Sequence, residues 1–561
     1  MIKYLKKTFR LTSHSSLSLS FIILISLIIS MSEIISLGIF QSILLSMFDS
    51  NLEIDNRFLN DIKKFFYTNF QASPLKIMLL FFVIFYSLKN LTTIFLNFFF
   101  FKFIEKQHFL LNKKFFKILI KTKYLDLSKN KNTFYNQILS RYIENFIKSV
   151  FGSIITITTE TLFVFIIFMY LLSINFKLVL LTIVVLTSLI LIYNSTIKKF
   201  LKQNSENVSK TEETIKFNIY EYIKNYREIF LYNLKNNFLD KLNISSRLFV
   251  KYERKFLFLG SITKYVFEII LITFLCFYML SFIEEGKITY ELSSLITMSF
   301  ALLKLMPSFN MINHSLIQIN QHSYSVKILE DFISNSEEED DELKIAASER
   351  FDHKINKIEV KNLSFSYDSN KQIIKNFNFE CKKGDLILIK GDSGVGKSTL
   401  LDLLSSVIDA KHGAINFYDE NNNLIENFND FAYVGQQPNL FNETLKYNLK
   451  LNKNKISDDK LIKIVQKVDL NLDCEFEKML EFNIQEDGKN LSGGQKQKLS
   501  IARAIIQDKT VLLFDEITSG LDLNSEKKII DLINELKRNK IVFFISHKTN
   551  IIADKIINLE K

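Results

Sequence analysis

A glycine-rich segment in the second half of the chain has the residue types that hold phosphate groups. Gly391-Asp-Ser-Gly-Val-Gly-Lys-Ser398 follows the apolar run 386–390, which is typical of a strand, and precedes the helix-like stretch 399–407. Glycines let backbone N–H groups wrap around phosphates, a lysine reaches the β- and γ-phosphates, and a hydroxyl can bind magnesium. The segment therefore predicts a nucleoside triphosphate site, with Lys397 on the phosphates and Ser398 on Mg²⁺.

Two carboxylates end a second apolar run and supply the complementary chemistry. Val511-Leu-Leu-Phe-Asp515-Glu516 is typical of a buried strand that ends in acidic residues. Asp515 suits a magnesium shell, and Glu516 can polarise the water that attacks the γ-phosphate. A strand that ends in acidic residues by chance explains one such motif, but it explains the pair poorly. The two motifs together predict ATP hydrolysis.

Further motifs, in order along the chain, resemble those of ATP-binding cassette proteins. Leu491-Ser-Gly-Gly-Gln495 precedes Asp515 by 20 residues and resembles the signature of that family. Gln436, in Tyr-Val-Gly-Gln-Gln-Pro, resembles the glutamine that senses magnesium and the membrane domain. Asp522, in Ser-Gly-Leu-Asp, is similar to the family's D-loop aspartate.

Two more elements of the family pattern lie at the ends of this series. Tyr367 resembles the aromatic residue that stacks on adenine, although an aromatic residue near a strand can also belong to the core. His547, in Ile-Ser-His, resembles the histidine that senses the γ-phosphate. Gly435 stands where a proline is common and Lys548 where an arginine is usual, and neither departure removes a catalytic group.

The resemblance implies a full set of ATP-site residues, with ATP and Mg²⁺ as cofactors. Catalytic roles fall on Glu516, His547 and Gln436. Magnesium would be held by Ser398, Gln436 and Asp515. The residues expected to contact ATP are Tyr367, Gly391, Asp392, Ser393, Gly394, Val395, Gly396, Lys397, Ser398, Thr399, Ser492, Gly493, Gly494, Gln495 and Asp522.

Long apolar runs precede these motifs. Crossing the apolar core of a bilayer takes about 20 mostly apolar residues in a helix. Six runs qualify, at 21–48, 75–101, 149–176, 178–197, 259–283 and 292–317. The stretches 102–148 and 198–258 mix polar and apolar residues. They predict helices that continue far into water and return.

Charge asymmetry orients the predicted spans. Stretch 102–141 contains ten Lys and Arg residues against two acidic ones, whereas loop 49–73 contains three basic and four acidic residues. Basic loops stay in the cytoplasm, so both termini and the motif-bearing domain are expected there. This placement accounts for the net charge of +11 without nucleic acid, which we exclude as a partner. Cys276, Cys381 and Cys474 have no metal-like or disulfide-like spacing.

The sequence divides into a transmembrane domain, 1–334, an acidic linker, 335–350, and an ATP-binding cassette, 351–561. The expected fold is an all-α six-helix transmembrane domain followed by an α/β P-loop nucleotide-binding domain, which resembles half of a type IV exporter. In that family, the signature of one cassette closes the nucleotide site of another. The resemblance therefore implies a homodimer in the lipid bilayer, with short coupling helices near 125–134 and 221–229.

Lysines within the apolar runs indicate a substrate cavity. Charges inside a bilayer are costly and mark pathways by default. Lys89, Lys264 and Lys304 would together suit an anionic phosphate or pyrophosphate head group. The alternatives are snorkelling to an interface and, for Lys264, a helical pair with Glu268. Glu33 and Glu160 also lie within runs and can neutralise part of this charge.

The loop after the first run predicts a short amphipathic helix. Phe58, Ile62, Phe65 and Phe66 follow helical spacing, and the alternative is a loop helix packed on the transmembrane ends. With the lysines and Leu305-Met-Pro-Ser308, this helix resembles bacterial flippases of lipid-linked oligosaccharides. The resemblance implies flipping of an anionic lipid-linked substrate across the bacterial cytoplasmic (inner) membrane. Export of lipid A, peptides or drugs remains an alternative, as does an ATP-gated channel or regulator.

Overall fold

The computed structural model resolves the chain into two compact units. The membrane unit comprises Met1–Lys121 and Asn130–Glu338, and the cassette unit comprises Thr122–Lys129 and Glu339–Lys561. The residues that the structure describes are Leu11 and the ranges 16–48, 57–69, 74–129, 132–174, 198–283, 288–337, 354–367, 372–425, 430–451, 456–472, 475–518, 520–546 and 552–560.

Long helices build the membrane unit. In chain order the helices are α1 Ser16–Phe48, α2 Arg57–Asn69, α3 Pro74–Lys121, α4 Tyr124–Lys129 of the cassette unit, α5 Asn132–Gln137, α6 Gly152–Ile174, α7 Lys198–Lys224, α8 Tyr226–Leu231, α9 Lys235–Ile283 and α10 Ile288–Glu337. Two π-helical turns, Ile138–Tyr142 and Asn145–Phe151, lie between α5 and α6. Among the described residues, three stretches are long and apolar enough to cross a membrane: Leu19–Met47, Pro74–Lys121 and Phe134–Ser173.

Several helices extend well beyond their apolar runs. α3 continues past residue 101 to Lys121, α9 begins at Lys235, ahead of the run 259–283, and α10 continues past residue 317 to Glu337. The extensions of α3 and α9 coincide with the stretches 102–148 and 198–258, which the sequence predicts as helices continuing into water, whereas the extension of α10 was not predicted. α10 also enters the first residues of the range predicted as a linker. The predicted run 178–197 lies outside the described residues.

The loop helix α2 packs on the helices that flank it. Phe66 is 5% exposed and contacts a cluster that includes Met78 at the start of α3. Phe65, its neighbour, is 58% exposed. The side chains of Phe58 and Ile62 lie outside the described part of the chain. For the described residues, α2 therefore matches the loop helix packed on transmembrane ends.

Two sheets form the framework of the cassette unit. The parallel sheet has the order β5-β6-β7-β3-β8, and the antiparallel sheet has the order β2-β1-β4. The strands are β1 Lys357–Phe365, β2 Ile374–Lys382, β3 Leu386–Lys390, β4 His412–Tyr418, β5 Phe431–Val434, β6 Val511–Asp515, β7 Ile541–Ile545 and β8 Lys555–Asn558. Strands β6 and β7 are buried along their whole length, as expected where both faces of a parallel sheet are covered.

Helices of the cassette unit cover this sheet and follow its strands. They are α11 Lys397–Leu404, α12 Leu445–Lys450, α13 Asp458–Lys467, α14 Gly493–Ile506 and α15 Leu523–Leu536. The segment after β3 leads into α11, and Asp515 ends β6. Because parallel strands have their carboxyl ends at one edge of the sheet, this topology brings the two predicted motifs together.

The short helix α4 packs with the cassette unit, although helices of the membrane unit flank it in sequence. Leu125 contacts the hydrophobic core beneath the sheet. Lys123 Nζ lies 3.2 Å from Asp409 Oδ2. α4 falls within the predicted excursion 102–148, near the position expected for a coupling helix.

Candidate active site

The phosphate-binding loop joins β3 to α11 through glycines in left-handed backbone conformations. The φ angles are +150° at Gly391, +78° at Gly394 and +110° at Gly396. A Cβ at Gly396 would lie 2.4 Å from Ile373 Cγ2, and one at Gly391 would lie 2.6 Å from Leu559 O. Because side chains are sterically excluded at both positions, the loop keeps the shape that backbone N–H groups need to surround a phosphate.

Lys397 lies folded across this loop. Its Nζ atom donates hydrogen bonds to Gly391 O at 2.8 Å and to Asp392 O at 3.2 Å. The side chain is largely buried, at 7% exposed for the residue. A single positive charge is thereby held against the backbone that would surround the phosphates. The predicted phosphate contacts of the loop and Lys397 thus lie together, and they fit a nucleoside triphosphate.

Ser398 and Asp515 place two oxygen ligands side by side. Ser398 Oγ, in the first turn of α11, donates to Asp515 Oδ2 at 2.7 Å, at the end of β6. Burial raises the pKa of Asp515, and the hydrogen bond from Ser398 acts in the opposite direction. Carboxylate and hydroxyl oxygens are ligands that Mg²⁺ prefers, and a buried carboxylate gains when a cation arrives. These residues therefore fit the magnesium site that the sequence predicts.

Glu516 follows Asp515 directly and contacts Gln436. Gln436 Nε2 donates to Glu516 Oε2 at 2.8 Å. The backbone of Glu516 is left-handed, with φ of +50°, and its N–H donates to Ile545 O at 3.1 Å. Such strain in a residue other than glycine concentrates at active sites, where the surrounding structure holds it. The geometry brings the predicted catalytic residues Glu516 and Gln436 together, whereas His547 lies outside the described residues.

Tyr367 lies just after β1 with one face accessible. It is 46% exposed, and its ring meets Phe365 edge-on at 5.1 Å between centroids. Its hydroxyl shares a hydrogen bond with Thr399 Oγ1 at 3.2 Å. The side chain is therefore too exposed for a core residue, and it is tethered to α11, the helix that begins with Lys397. This placement is compatible with the predicted stacking on adenine.

The signature motif forms the exposed start of α14. Ser492 and Gln495 make a reciprocal capping box, in which Ser492 N–H donates to Gln495 Oε1 at 2.7 Å and Gln495 N–H donates to Ser492 Oγ at 3.2 Å. A Cβ at Gly494 would lie 3.4 Å from Gly520 O. Asp522 similarly caps α15 by accepting from Ser525 N–H at 3.1 Å. A rigid helix N-terminus is thus presented at the surface, where it can bind an anion.

Two further side chains close the site, and the sequence does not predict them. Tyr433 Oη donates to Asp515 Oδ2 at 3.5 Å. Burial, with the charge of Asp515 as a second cause, raises the pKa of Asp402 to about 6. Asp402 lies one helical turn after Ser398 on α11, and this i, i+4 spacing could have indicated its proximity to the predicted magnesium ligands. Tyr433 has no comparable local signal.

Two of the predicted cavity lysines lie close together in the membrane unit. Lys89, on α3, is ion-paired with Glu33, on α1, and both side chains are buried. Lys304 Nζ, on α10, lies 3.8 Å from Glu33 Oε1 and donates a hydrogen bond to Tyr86 Oη. Glu33 therefore neutralises one of the two positive charges. The side chain of Lys264 lies outside the described part of the structure.

Comparison with known families assigns both units. Residues 19–306 match the ABC transporter transmembrane region, and residues 374–519 match the ABC transporter family of ATP-binding domains. The first match alone covers about half of the chain. The chain therefore belongs to the ABC transporter family, with a helical transmembrane domain followed by an α/β nucleotide-binding domain.

Individual relatives differ in their named substrates. The Lactococcin-G-processing and transport ATP-binding protein LagD of Lactococcus lactis is 31% identical over 395 residues, 69% of this chain and 55% of that protein. ATP-dependent lipid A-core flippase 1 of Colwellia psychrerythraea is 38% identical over 200 residues, 34% of this chain and 33% of that protein. The glutathione/L-cysteine transport protein CydC of Haemophilus influenzae is 26% identical over 374 residues, 63% of each chain. Each match spans less than two thirds of the relative's own length.

A solved structure shares the fold over nearly the whole chain. A bacterial Atm1-family ABC exporter with ATP bound superposes with a TM-score of 0.73 and covers 97% of this chain and 93% of the other. The two sequences are 17% identical. This comparison confirms the predicted fold class, and at that identity it carries no further information on substrate.

Proposed function

We propose that two copies of this chain use ATP hydrolysis to export or flip an amphipathic substrate across a bacterial cytoplasmic membrane, with both termini and the cassette inside. The observation that carries the proposal is the contact between Gln436 and Glu516, next to the Ser398–Asp515 hydrogen bond of 2.7 Å. A glutamine, a carboxylate and a magnesium-type ligand pair meet where the γ-phosphate would lie. This arrangement supports hydrolysis more than nucleotide binding alone.

Binding of the nucleotide falls to the loop and its neighbours. Lys397 and the N–H groups of the phosphate-binding loop would hold the phosphates, and Tyr367 would stack on adenine. Ser398, Asp515 and Gln436 would hold Mg²⁺, which supplies positive charge that neutralises the phosphate oxygens. Lys397 and Asp515 are buried, and this setting strengthens their electrostatic effect relative to water.

Glu516 would orient and polarise the attacking water. The hydrogen bond from Gln436 fixes one oxygen of its carboxylate, and its left-handed backbone fixes where the side chain begins. A water-positioning group of this kind lowers the barrier by its placement, because phosphoryl transfer leaves the protein little covalent chemistry to perform. His547 is proposed to sense the γ-phosphate on the family resemblance alone.

The exposed signature supports a dimer with shared sites. Ser492 and Gly493 open α14 at the surface, so a second cassette could use them to bind a γ-phosphate. Hydrolysis would draw on both copies, and alternating closure and release of the cassettes would move the transmembrane helices between two states.

Mixed dimers test the shared sites. Lys397→Ala spoils the phosphate loop, and Ser492→Arg spoils the signature. A dimer with one chain of each kind keeps one intact composite site, so we expect ATPase activity well above that of either mutant homodimer. The mixed dimer is purified through two different tags, and phosphate release is measured. If each site lay within a single chain, both sites of the mixed dimer would be damaged. A purified mixed dimer as inactive as the homodimers would therefore contradict shared sites.

The substrate is proposed to carry an anionic head group, with lipid-linked oligosaccharides as the first candidate. Lys304 is partly exposed, donates to Tyr86, and lies over the Tyr86 and Phe300 rings at 4.5 and 5.6 Å. An amine between aromatic rings, with only part of its charge offset by Glu33, can attract an anion from a low-dielectric region. Lys89 contributes less, because its ion pair with Glu33 uses its charge.

Flipping assays in proteoliposomes test this cargo. Lys304→Gln and the Lys89→Gln, Lys304→Gln double variant should slow flipping of a polyprenyl-pyrophosphate glycan at least ~10-fold, the loss expected for a charged hydrogen bond. Lys304→Arg should retain flipping, because a guanidinium binds phosphate oxygens well. Lys327→Gln, at an exposed position later in α10, is the matched control. Full flipping by the double variant would contradict the proposal that the cargo is anionic.

Peptide export is the second candidate, and one observation favours it. The lactococcin-G transport protein matches 69% of this chain, so that match extends beyond the cassette, whereas the lipid A-core flippase matches 34%. ATPase stimulation in liposomes by a panel of peptides, lipid A and polyprenyl-pyrophosphate glycans separates these candidates. ATPase stimulation by peptides and by none of the lipids would make peptides the proposed cargo in place of lipid-linked oligosaccharides.

A further inference from the structure

A cavity of about 890 Å³ lies in the membrane unit, apart from the lysine cluster. Its walls come from α3, from α6 with the π-helical turn before it, and from α10. Phe100 and Phe101 end one predicted apolar run, Gly152 and Ser153 begin another, and Gln318 follows a third. By the charge asymmetry of the loops, these are cytoplasmic ends of the spans. The cavity therefore lies at the level of the inner membrane surface.

The lining of the cavity combines apolar side chains with neutral polar ones. Phe100, Phe101 and Met311 are among the apolar residues. The lining also contains amide, hydroxyl and imidazole side chains, namely Ser149, Ser153, Thr156, Asn310, His314 and Ser315. Amides and hydroxyls both donate and accept hydrogen bonds, as sugar hydroxyls do. A phosphate accepts only, and it would be matched by a wall of donors.

The charges around the cavity have no positive excess. The charged side chains in its lining are Glu105 and Lys148, and Lys148 Nζ lies 2.6 Å from Glu144 Oε1. Lys148 and Ser149 lie on the π-helical turn Asn145–Phe151. Such turns are rare and occur frequently at functional sites. A lining without a positive excess does not attract an anion, unlike the cluster around Lys304.

We propose that this cavity binds the hydroxyl-rich, uncharged head group of an amphipathic molecule, with a glycan as the fitting chemical class and the alkyl chain against the apolar residues of the lining. This inference rests on the proposed export function and names a second contact for the cargo. The glycan binds here at the cytoplasmic surface, and the anionic part of the same molecule is left for Lys304. Head-group selection is then divided between a neutral cavity and a charged cluster.

Photolabelling tests the head-group class directly. The full chain in phosphatidylcholine nanodiscs is labelled, without nucleotide, by an alkyl maltoside that carries a diazirine on its sugar, and the labelled peptides are identified by mass spectrometry. We expect saturable labelling within 100–108, 148–156 or 310–318. Unlabelled alkyl maltoside should compete at least ~10-fold better than an alkyl phosphate of the same chain length, because hydrogen-bonding sites reject a group that leaves their polar atoms unpaired. Competition by free maltose distinguishes a site that binds the sugar alone from one that also requires the alkyl chain.

Variants locate the site. Asn310→Leu combined with Gln318→Leu should lower labelling at least ~5-fold, whereas Asn136→Leu, at an exposed position outside the cavity, should not change it. Labelling that does not saturate, or competition by the alkyl phosphate that equals the maltoside, overturns the proposal. The competition between alkyl maltoside and alkyl phosphate is measured on the unaltered protein, so it tests the proposal even if the double variant does not assemble. ATP hydrolysis is measured separately, so its absence would contradict the proposed function and leave the labelling result standing.

Discussion

Glu33 of the membrane unit and Asp515 of the cassette unit are both buried carboxylates, but their charges are handled differently. Glu33 is 2% exposed and paired with Lys89, while Lys304 Nζ lies 3.8 Å from its other oxygen. Asp515 is 7% exposed and accepts a hydrogen bond from the neutral hydroxyl of Ser398 at 2.7 Å, and burial raises its pKa. The first charge is neutralised by the protein itself, and the second is only partly compensated.

This difference separates charges that hold structure from charges that act on a ligand. Removing an ion from water costs several kcal/mol unless a partner compensates it. Lys89 supplies that compensation permanently for Glu33 and ties α1 to α3. Asp515 obtains full compensation only when a cation binds, so nucleotide with Mg²⁺ stabilises the site that it enters. Changes around Glu33 should therefore affect stability, whereas changes around Asp515 should affect turnover.

Loss of Glu516, the proposed catalytic carboxylate, should give the largest effect. Glu516→Gln keeps the size of the side chain and removes its ability to polarise water. We expect ATP turnover to fall at least ~100-fold, about 2.7 kcal/mol in barrier height, with nucleotide binding retained. Phosphate release measures turnover, and a fluorescent ATP analogue measures binding.

The matched control is Glu535→Gln, which removes an exposed carboxylate near the end of α15 that pairs with Lys467 at 2.8 Å. An exposed pair of this kind contributes little, so turnover should stay near normal. If Glu516→Gln turned over as fast as this control, Glu516 would not be the residue that positions the attacking water.

Much of the cassette site was predictable because its residues sit in short motifs on strand ends. Gly391–Ser398 and Asp515 lie far apart in sequence, yet each motif follows an apolar strand. Parallel strand order then forces the motifs to one edge, which explains the Ser398–Asp515 contact. Tyr433 escaped prediction, since its side chain reaches Asp515 across neighbouring strands and no local pattern marks that direction.

Contacts of the membrane unit were less predictable from the sequence. The apolar runs predicted α1 and α3, and the mixed polar and apolar stretches after them indicated which helices continue into water. Their relative rotation had no such signal, because helices that are apolar all round lack a distinct polar face. The pairing of Glu33 with Lys89, and of Lys304 with Tyr86, depends on that rotation. The π-helical turns before α6 likewise have no sequence motif that predicts them.

Breaking the membrane pair should have an intermediate effect, on stability and not on nucleotide chemistry. Lys89→Gln leaves Glu33 buried with a neutral partner. Such a change typically costs about 3–5 kcal/mol, but Lys304 lies near Glu33 and should limit the loss to about 2 kcal/mol. We expect a lower melting temperature by fluorescence-detected gel filtration, with the affinity of the cassette for ATP unchanged.

The double variant Glu33→Gln, Lys89→Gln shows whether charge or packing causes the lost stability of Lys89→Gln. It removes both charges, so most of the lost stability should return. If the double variant melted as low as Lys89→Gln alone, side-chain packing and not charge would explain the loss. An unchanged melting temperature of Lys89→Gln would show that Glu33 needs no permanent partner. It would contradict the distinction drawn between Glu33 and Asp515.

The smallest effect concerns Asp402, whose carboxyl shares its surroundings with Asp515. Burial raises the pKa of Asp402 from 3.8 to about 6. The folded state therefore favours the protonated acid. Relative to pH 4, stability is lost as the pH rises through about 6, because the unfolded chain ionises freely and the folded chain must bury a second charge beside Asp515.

Asp402→Asn removes this cost and should stabilise the cassette above pH 7. The pKa change corresponds to at most about 3 kcal/mol, and the side chain is only half-buried, so solvent screening should reduce it to about 1 kcal/mol, or ~2–4 °C in melting temperature. The gain should shrink steadily between pH 6 and pH 4, where the native aspartate becomes protonated. Melting is followed without nucleotide and with a chelator, against Asp459→Asn as an exposed control. A gain that is the same at pH 4.5 and pH 8 would arise from packing, and it would mean that the charge of Asp515 does not act on Asp402.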